Sequence, residues 1–174
     1  DQPRSRGLGD VYKRQDRKGT LFIPSFSVER SQEIACVLKN ANFKHRIIMD
    51  GMALKVNEII LRYPEYQKEP KIFKDVIDKV VAINDHKDRK RALSEPCVVI
   101  SPAGMLVGGN AVYYLQQLAF DERNGIALVS YQGEGTPGKK LLETGKISTR
   151  GKDLNVVAQV KQFQFSGHAD RAVS

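Results

Sequence analysis

The sequence predicts an α/β fold in which a mostly parallel sheet is flanked by helices. Three observations carry this. Strand-type and helix-type segments alternate along most of the chain. Two strand segments, Cys97-Val98-Val99-Ile100 and Ile126-Ala127-Leu128-Val129, are continuously apolar, the kind buried on both faces. Gly-rich loops stand between such strands and the helices that follow them.

Residues 1–15 fall outside this pattern, with many charges and no apolar periodicity. Asp10-Val11-Tyr12-Lys13-Arg14-Gln15 is what GAT GTG TAT AAG AGA CAG encodes, the end of a transposase adapter used in sequencing libraries. The segment is therefore expected to be a non-native tail and is set aside. The remaining 159 residues are one domain's worth of chain, enough to bury a core.

The elements follow in order. Thr20 to Pro24 is a short apolar strand bounded by Gly19. A helix runs from about Val28 to Ala41, with Ile34, Val37, Leu38 and Ala41 on one face and Ser27 as its N-cap. Arg46 to Asp50 is a second strand. Met52 to Tyr63 is a second helix, with Val56, Ile59, Ile60 and Tyr63 in apolar register. Residues 71–79 read as an amphipathic helix, Val80 to Ile83 as a short strand, and Asp85 to Leu93 as a charged helix. This middle region has the weakest pattern and is expected to be a peripheral elaboration. After the Cys97 strand come a helix from Asn110 to Phe120, the Ile126 strand, and a short helix from Pro137. Asn155 to Phe165 is extended. Ligands of parallel sheets sit beyond the carboxyl ends of the strands, so the Gly-rich loops are expected to share one edge.

The chain has 28 basic and 20 acidic residues, a formal charge of +8. Without the tail it keeps 24 and 18, a charge of +6, which suits a polyanionic partner. Cys36 and Cys97 lie singly in apolar segments and read as buried thiols of a reducing, cytoplasmic compartment. No apolar run approaches the ~18 residues of a membrane span.

The loop Ser101-Pro102-Ala103-Gly104-Met105-Leu106-Val107-Gly108-Gly109 is either a phosphate cradle or a tight strand-to-helix turn. It is not a P-loop, because the spacing differs and no Lys precedes the helix. Tyr131-Gln132-Gly133-Glu134-Gly135-Thr136 repeats the design, and Thr136 stands as a helix cap or a phosphate contact. Arg30 either pairs with Glu33 on the helix surface, the reading its spacing favours, or grips a phosphate. Asp50-Gly51-Met52 shows little chemistry of its own. Near the chain's end, Phe165-Ser166-Gly167-His168-Ala169-Asp170 places a histidine in a small polar turn. Histidine exchanges a proton near neutral pH, although a single histidine is also commonly structural. No His-x-His or Cys-x-x-Cys pattern marks a metal site in this chain.

Taken together, these segments resemble the β-CASP branch of the metallo-β-lactamase superfamily. The resemblance rests on Gly19 to Glu33 with its Arg30-Ser31-Gln32-Glu33, Asp50 to Ala53, Ser101 to Gly109, Asp121 to Thr136, and Phe165 to Asp170. It is closest to archaeal mRNA 3′-end-processing-factor homologues. It implies an RNA nuclease, endo- or exonucleolytic, whose metallo-β-lactamase half holds two zinc ions on a His-x-His-x-Asp-His motif. It implies that the β-CASP cassette clamps single-stranded RNA, and that His168 is catalytic. It implies phosphate or substrate contacts from Arg30, Ser101, Gly104, Gly108, Gly109, Tyr131, Gly135, Thr136 and Ser166. The expected organisation is a β-CASP domain over 16–154 and, over 155–174, the start of a truncated metallo-β-lactamase segment, its strand leading back toward a missing half. Such a fragment binds no zinc itself and is expected to be hydrolytically inert and marginally stable. A homodimer or processing-complex subunit is a further expectation. The alternatives are a catalytically silent RNA-binding scaffold paralogue, a DNA-processing relative, and a Rossmann-like small-molecule domain.

Overall fold

The computed structural model describes residues 18–41, 43–149 and 151–163. Its centre is a six-stranded sheet, every pairing parallel, in the order β3-β2-β4-β1-β5-β8. The strands are β1 (Leu21–Pro24), β2 (Arg46–Asp50), β3 (Val81–Ile83), β4 (Cys97–Ser101), β5 (Gly125–Leu128) and β8 (Gln159–Gln162). The helices are α1 (Arg30–Asn40), α2 (Met52–Arg62), α3 (Pro70–Ile77), α4 (His86–Ala92), α5 (Asn110–Leu118) and α6 (Pro137–Thr144). β6 (Lys146–Thr149) and β7 (Lys152–Asn155) form a separate antiparallel hairpin.

The strand order fixes where the helices go. The connections from β1 to β2 and from β2 to β3 travel toward one edge, and those after β3 travel back toward the other. Right-handed crossovers then place α1, α2 and α3 on one face and α4, α5 and α6 on the opposite face. Two cores result. Leu21, Ile23, Met49, Val98 and Ile100 point to the first layer and meet Ile34 and Leu38 of α1, Ala53 of α2 and Val76 of α3. Phe22, Ile48, Val99, Ile126 and Leu128 point to the second and meet Ala111, Tyr114, Leu115 and Leu141. All five residues of β4 are buried, as its unbroken apolar run requires.

The structure corrects four expectations. Ser27 does not cap α1: the N-cap is Glu29, with φ 66° and no side-chain capping bond, and the Ser27 carbonyl instead accepts from Gln32 Nε2 at 3.1 Å. On α2 the line Val56, Ile59, Ile60, Tyr63 is not the buried one. Ile59 and Tyr63 are exposed, while Ala53 and Asn57 are buried. Asn57 is admitted because Gln32 Nε2 donates to its Oδ1 at 2.8 Å. The middle region is not peripheral, since β3 extends the main sheet and Val76 is part of the core. Finally, the β6–β7 hairpin was not anticipated. It is anchored by buried Ile147 and by Lys140 Nζ, which donates to Asp153 Oδ1 at 2.6 Å.

Phe22 lies fully buried at the centre of the second core, its ring 5.7 Å from that of Tyr114. Phe22→Ala is expected to cost about 3–5 kcal/mol. Urea unfolding of the full chain should show a lower midpoint with an unchanged slope.

Candidate nucleic-acid interface at the carboxyl rim

Because the sheet is parallel, every loop following a strand of this sheet opens on one rim. Ligands of such sheets sit where the connections of two neighbouring strands part. Here that point lies between β1 and β4, for β1 leads toward β2 and β4 toward β5 on the other side. Three loops meet there, residues 25–29, 102–109 and 129–136. Ser25 N donates to the Ser101 carbonyl at 3.2 Å. Gly104 permits a close approach of the three. A Cβ at this position would lie 2.8 Å from Ser130 Oγ and 3.2 Å from the Ser25 carbonyl carbon. Gln132 Nε2 donates to the Gly104 and Ser130 carbonyls at 3.0 and 2.9 Å. Gly138 N donates to the Met105 carbonyl at 3.1 Å, and a Cβ on Gly138 would collide with Gln132 Oε1. The loops after β4 and β5 are therefore bonded to one another, and the loop after β1 is bonded to the end of β4.

The residues singled out in the sequence fall into three groups. Gly108, Gly109 and Gly135 sit on the rim at positive φ, and a side chain added at Gly108 or Gly135 would meet nothing within 4 Å. Tyr131 is 73% exposed beside them. Ser101 and Thr136 are spent on structure. Ser101 is wholly buried and donates to the Pro102 carbonyl at 3.1 Å. Thr136 Oγ1 donates to the Gly133 carbonyl at 2.7 Å and accepts from Lys139 N at 3.3 Å, capping α6. Arg30 NH1 donates to Glu33 Oε2 at 2.8 Å, the pairing that the spacing favours. His168 and Ser166 lie outside the described residues. β8 runs parallel to β5, and Phe163 N donates to the Leu128 carbonyl, so the last described residue stands at the same rim.

Asp50 shows what the sequence reading missed. It ends β2, is 1% exposed, and accepts four hydrogen bonds. Arg89 donates from Nε at 2.6 Å and from NH2 at 3.3 Å, Asn110 Nδ2 at 2.9 Å, and the Tyr114 hydroxyl at 2.8 Å. A carboxylate so saturated is tolerable in the interior. It binds β2 to α4 and to the first turn of α5, just past the glycine loop. An acidic residue closing an otherwise apolar strand was the available signal.

Comparison with known proteins places this geometry. A family model described as the Beta-Casp domain matches residues 31–141. The chain belongs to the β-CASP family. This β-CASP chain is 41% identical over 153 residues to RNase aCSPSF2 of Saccharolobus solfataricus, covering 88% of the chain and 31% of that protein. It is 35% identical over 185 residues to the transcription termination factor FttA of Methanocaldococcus jannaschii, with 92% and 29% covered. Against the probable RNase MJ4 of the same organism the identity is 33% over 157 residues, with 88% and 37% covered. The β-CASP chain thus spans about a third of the length of these relatives. Among the described residues, no three His, Cys, Asp or Glu side chains gather to hold a metal ion, and the Asp50 carboxylate is already filled by its donors. These residues do not fit a pair of zinc ions.

Two outcomes follow from the Asp50 centre. Arg89→Ala, which strands a buried carboxylate, should cost about 3–5 kcal/mol in denaturant titrations. The second is alkaline sensitivity. Burial first, and the Asp50 charge second, push the Tyr114 hydroxyl far above the ordinary tyrosine range. The unfolded chain then loses this proton first, so the contribution is complete below about pH 10 and declines as pH rises above it. Burial pushes the Cys97 thiol up in the same sense, starting the decline from about pH 8.5. Melting temperatures measured from pH 7 to 11 should fall on the alkaline side, and less steeply above pH 10 for Tyr114→Phe.

Proposed function

We propose that this chain is the RNA-clamping part of a zinc-dependent β-CASP ribonuclease acting in mRNA 3′-end processing or RNA decay in the cytoplasm. The observation that carries the reading is the convergence of three loops on Gly104 at the parting of β1 and β4, with Gly108, Gly109 and Gly135 at positive φ on the rim. Backbone N–H groups at strand-to-helix turns suit phosphate oxygens. A net charge of +6 outside the tail suits a polyanion, and relatives named as RNases and termination factors agree in kind. Arg30, which begins α1 directly after the loop that follows β1, would add a charge contact by exchanging Glu33 for a phosphate.

Within the parent protein, His168 would stabilise the scissile phosphate or protonate the leaving oxygen. Ser166 would help shape its turn. The zinc ions, which generate the attacking hydroxide when bound, would be held by segments outside this chain. The chain alone is accordingly inert in hydrolysis and binds single-stranded RNA.

The test is a binding titration of the full chain with single-stranded RNA across salt concentrations, together with an RNA cleavage assay. The affinity should fall with log salt at a slope of about −0.7 per phosphate contacted. No cleavage should be seen. Salt-independent binding would sink the clamp, and RNA hydrolysis abolished by His168→Ala would sink the inertness. Competition by single-stranded DNA separates the RNA reading from a DNA-processing one.

A further inference from the structure

The rim carries more than glycines. Phe26 and Val28 in the loop after β1, Val107 in the loop after β4, and Tyr131 in the loop after β5 are 44%, 66%, 66% and 73% exposed. These side chains are large and apolar, and each belongs to one of the three loops that meet at Gly104. The meeting is direct: the Gly104 contacts are Ser25, next to Phe26, and Ser130, next to Tyr131. Beside them, a Cβ at Gly133 would stand in ordinary contact with Thr136 Cγ2 at 3.6 Å and with Met105 Sδ and Tyr131 Cε1, each at 3.8 Å, so the Tyr131 ring edge and a thioether flank this glycine.

Exposed apolar side chains are ordinary when scattered singly, whereas a cluster of them marks an interaction site. These do not form a smooth patch. Phe26 stands between Ser25 and Ser27, Val107 abuts Gly108, and Tyr131 is followed by Gln132 and Gly133. Apolar faces thus alternate along the chain with small or polar residues, of which Ser25 and Gln132 are buried and Ser27, Gly108 and Gly133 are partly exposed. A protein interface buries a continuous apolar centre. A single strand of nucleic acid instead offers flat bases in alternation with phosphates, and the rim has the same alternation.

Resting on the RNA-clamping reading, we infer that Tyr131 and Phe26 are base-stacking platforms that hold two nucleobases of the strand whose phosphates lie on the glycine turns. Stacking accepts any base, since every base has a π-face. The clamp therefore takes RNA without regard to sequence, and its grip has a component that salt does not screen.

The experiment compares two ligands of about ten nucleotides, one a natural single-stranded RNA and one abasic with the same phosphates. Binding to the full chain is measured for the wild type and for Tyr131→Ala, Phe26→Ala and Tyr131→Phe, with circular dichroism confirming the fold of each. The wild type should prefer the natural strand. Each alanine variant should lose about 5- to 150-fold for that strand, with little change for the abasic one and with the salt slope preserved. Tyr131→Phe, which keeps the ring, should retain binding. Equal binding of both ligands, or alanine variants that bind like the wild type, overturns the stacking while leaving the clamp standing, and marks the rim as a protein face. Binding of neither ligand by the wild type overturns the clamp and the stacking with it.

Discussion

The parallel pairing of β1 between β4 and β5 is the constraint on which the rest of the molecule depends. Parallel neighbours put their loops at one end. Right-handed crossovers then decide the face of each helix from the direction in which the chain travels. Where β1 and β4 lie side by side they lead opposite ways, so their loops part to opposite faces of the sheet as a consequence of topology, before any side chain is considered. The same rule splits the interior in two, one half sealed by Ile34, Leu38 and Val76 and the other by Tyr114, Leu115 and Leu141.

Asp50 gives the second half its polar centre. An apolar replacement of similar volume can be as stable as a buried ion pair, so the value of such a group lies in position more than in energy. Its acceptor oxygens hold Arg89 of α4 and both Asn110 and Tyr114 of α5. Asn110 is the first residue of α5 and follows Gly109 directly. The carboxylate therefore fixes the point at which the glycine loop becomes helix, and ties that point to the end of β2. Gly51 belongs to the same junction, for a Cβ there would press to 3.2 Å on the Asn110 amide.

Much of this was legible in the sequence. The unbroken apolar runs at Cys97 and Ile126 mark central strands because only a strand covered on both faces has no use for alternation. The glycine loops marked the rim because their turns need positive φ. Part of what escaped reading depended on contacts far apart in the chain. Ile59 and Tyr63 match a helical period as well as Ala53 and Asn57 do, and it is Gln32, reaching across from α1, together with Met49 Sδ of β2 that makes Asn57 an interior residue. Thr136 could not be assigned between cap and ligand until its bonds to Gly133 and Lys139 were seen. The β6–β7 hairpin is largely exposed, with Ile147 its main buried side chain, so its apolar signal is slight. Asp50 was overlooked because its partners lie 39 to 64 residues downstream.

The Gln132 amide spans the loops after β4 and β5 through its nitrogen, while its oxygen is packed against Gly138 without a hydrogen-bond partner among the described residues. An orphaned acceptor is a standing penalty borne by the native state. Its counterpart is that these two loops lose their independent freedom when the chain folds. A guest arriving at the rim finds them already immobilised and forfeits little conformational entropy in ordering them. Such pre-organisation shows mainly as a slow departure of the guest, because the complex has no loosened state through which to escape cheaply.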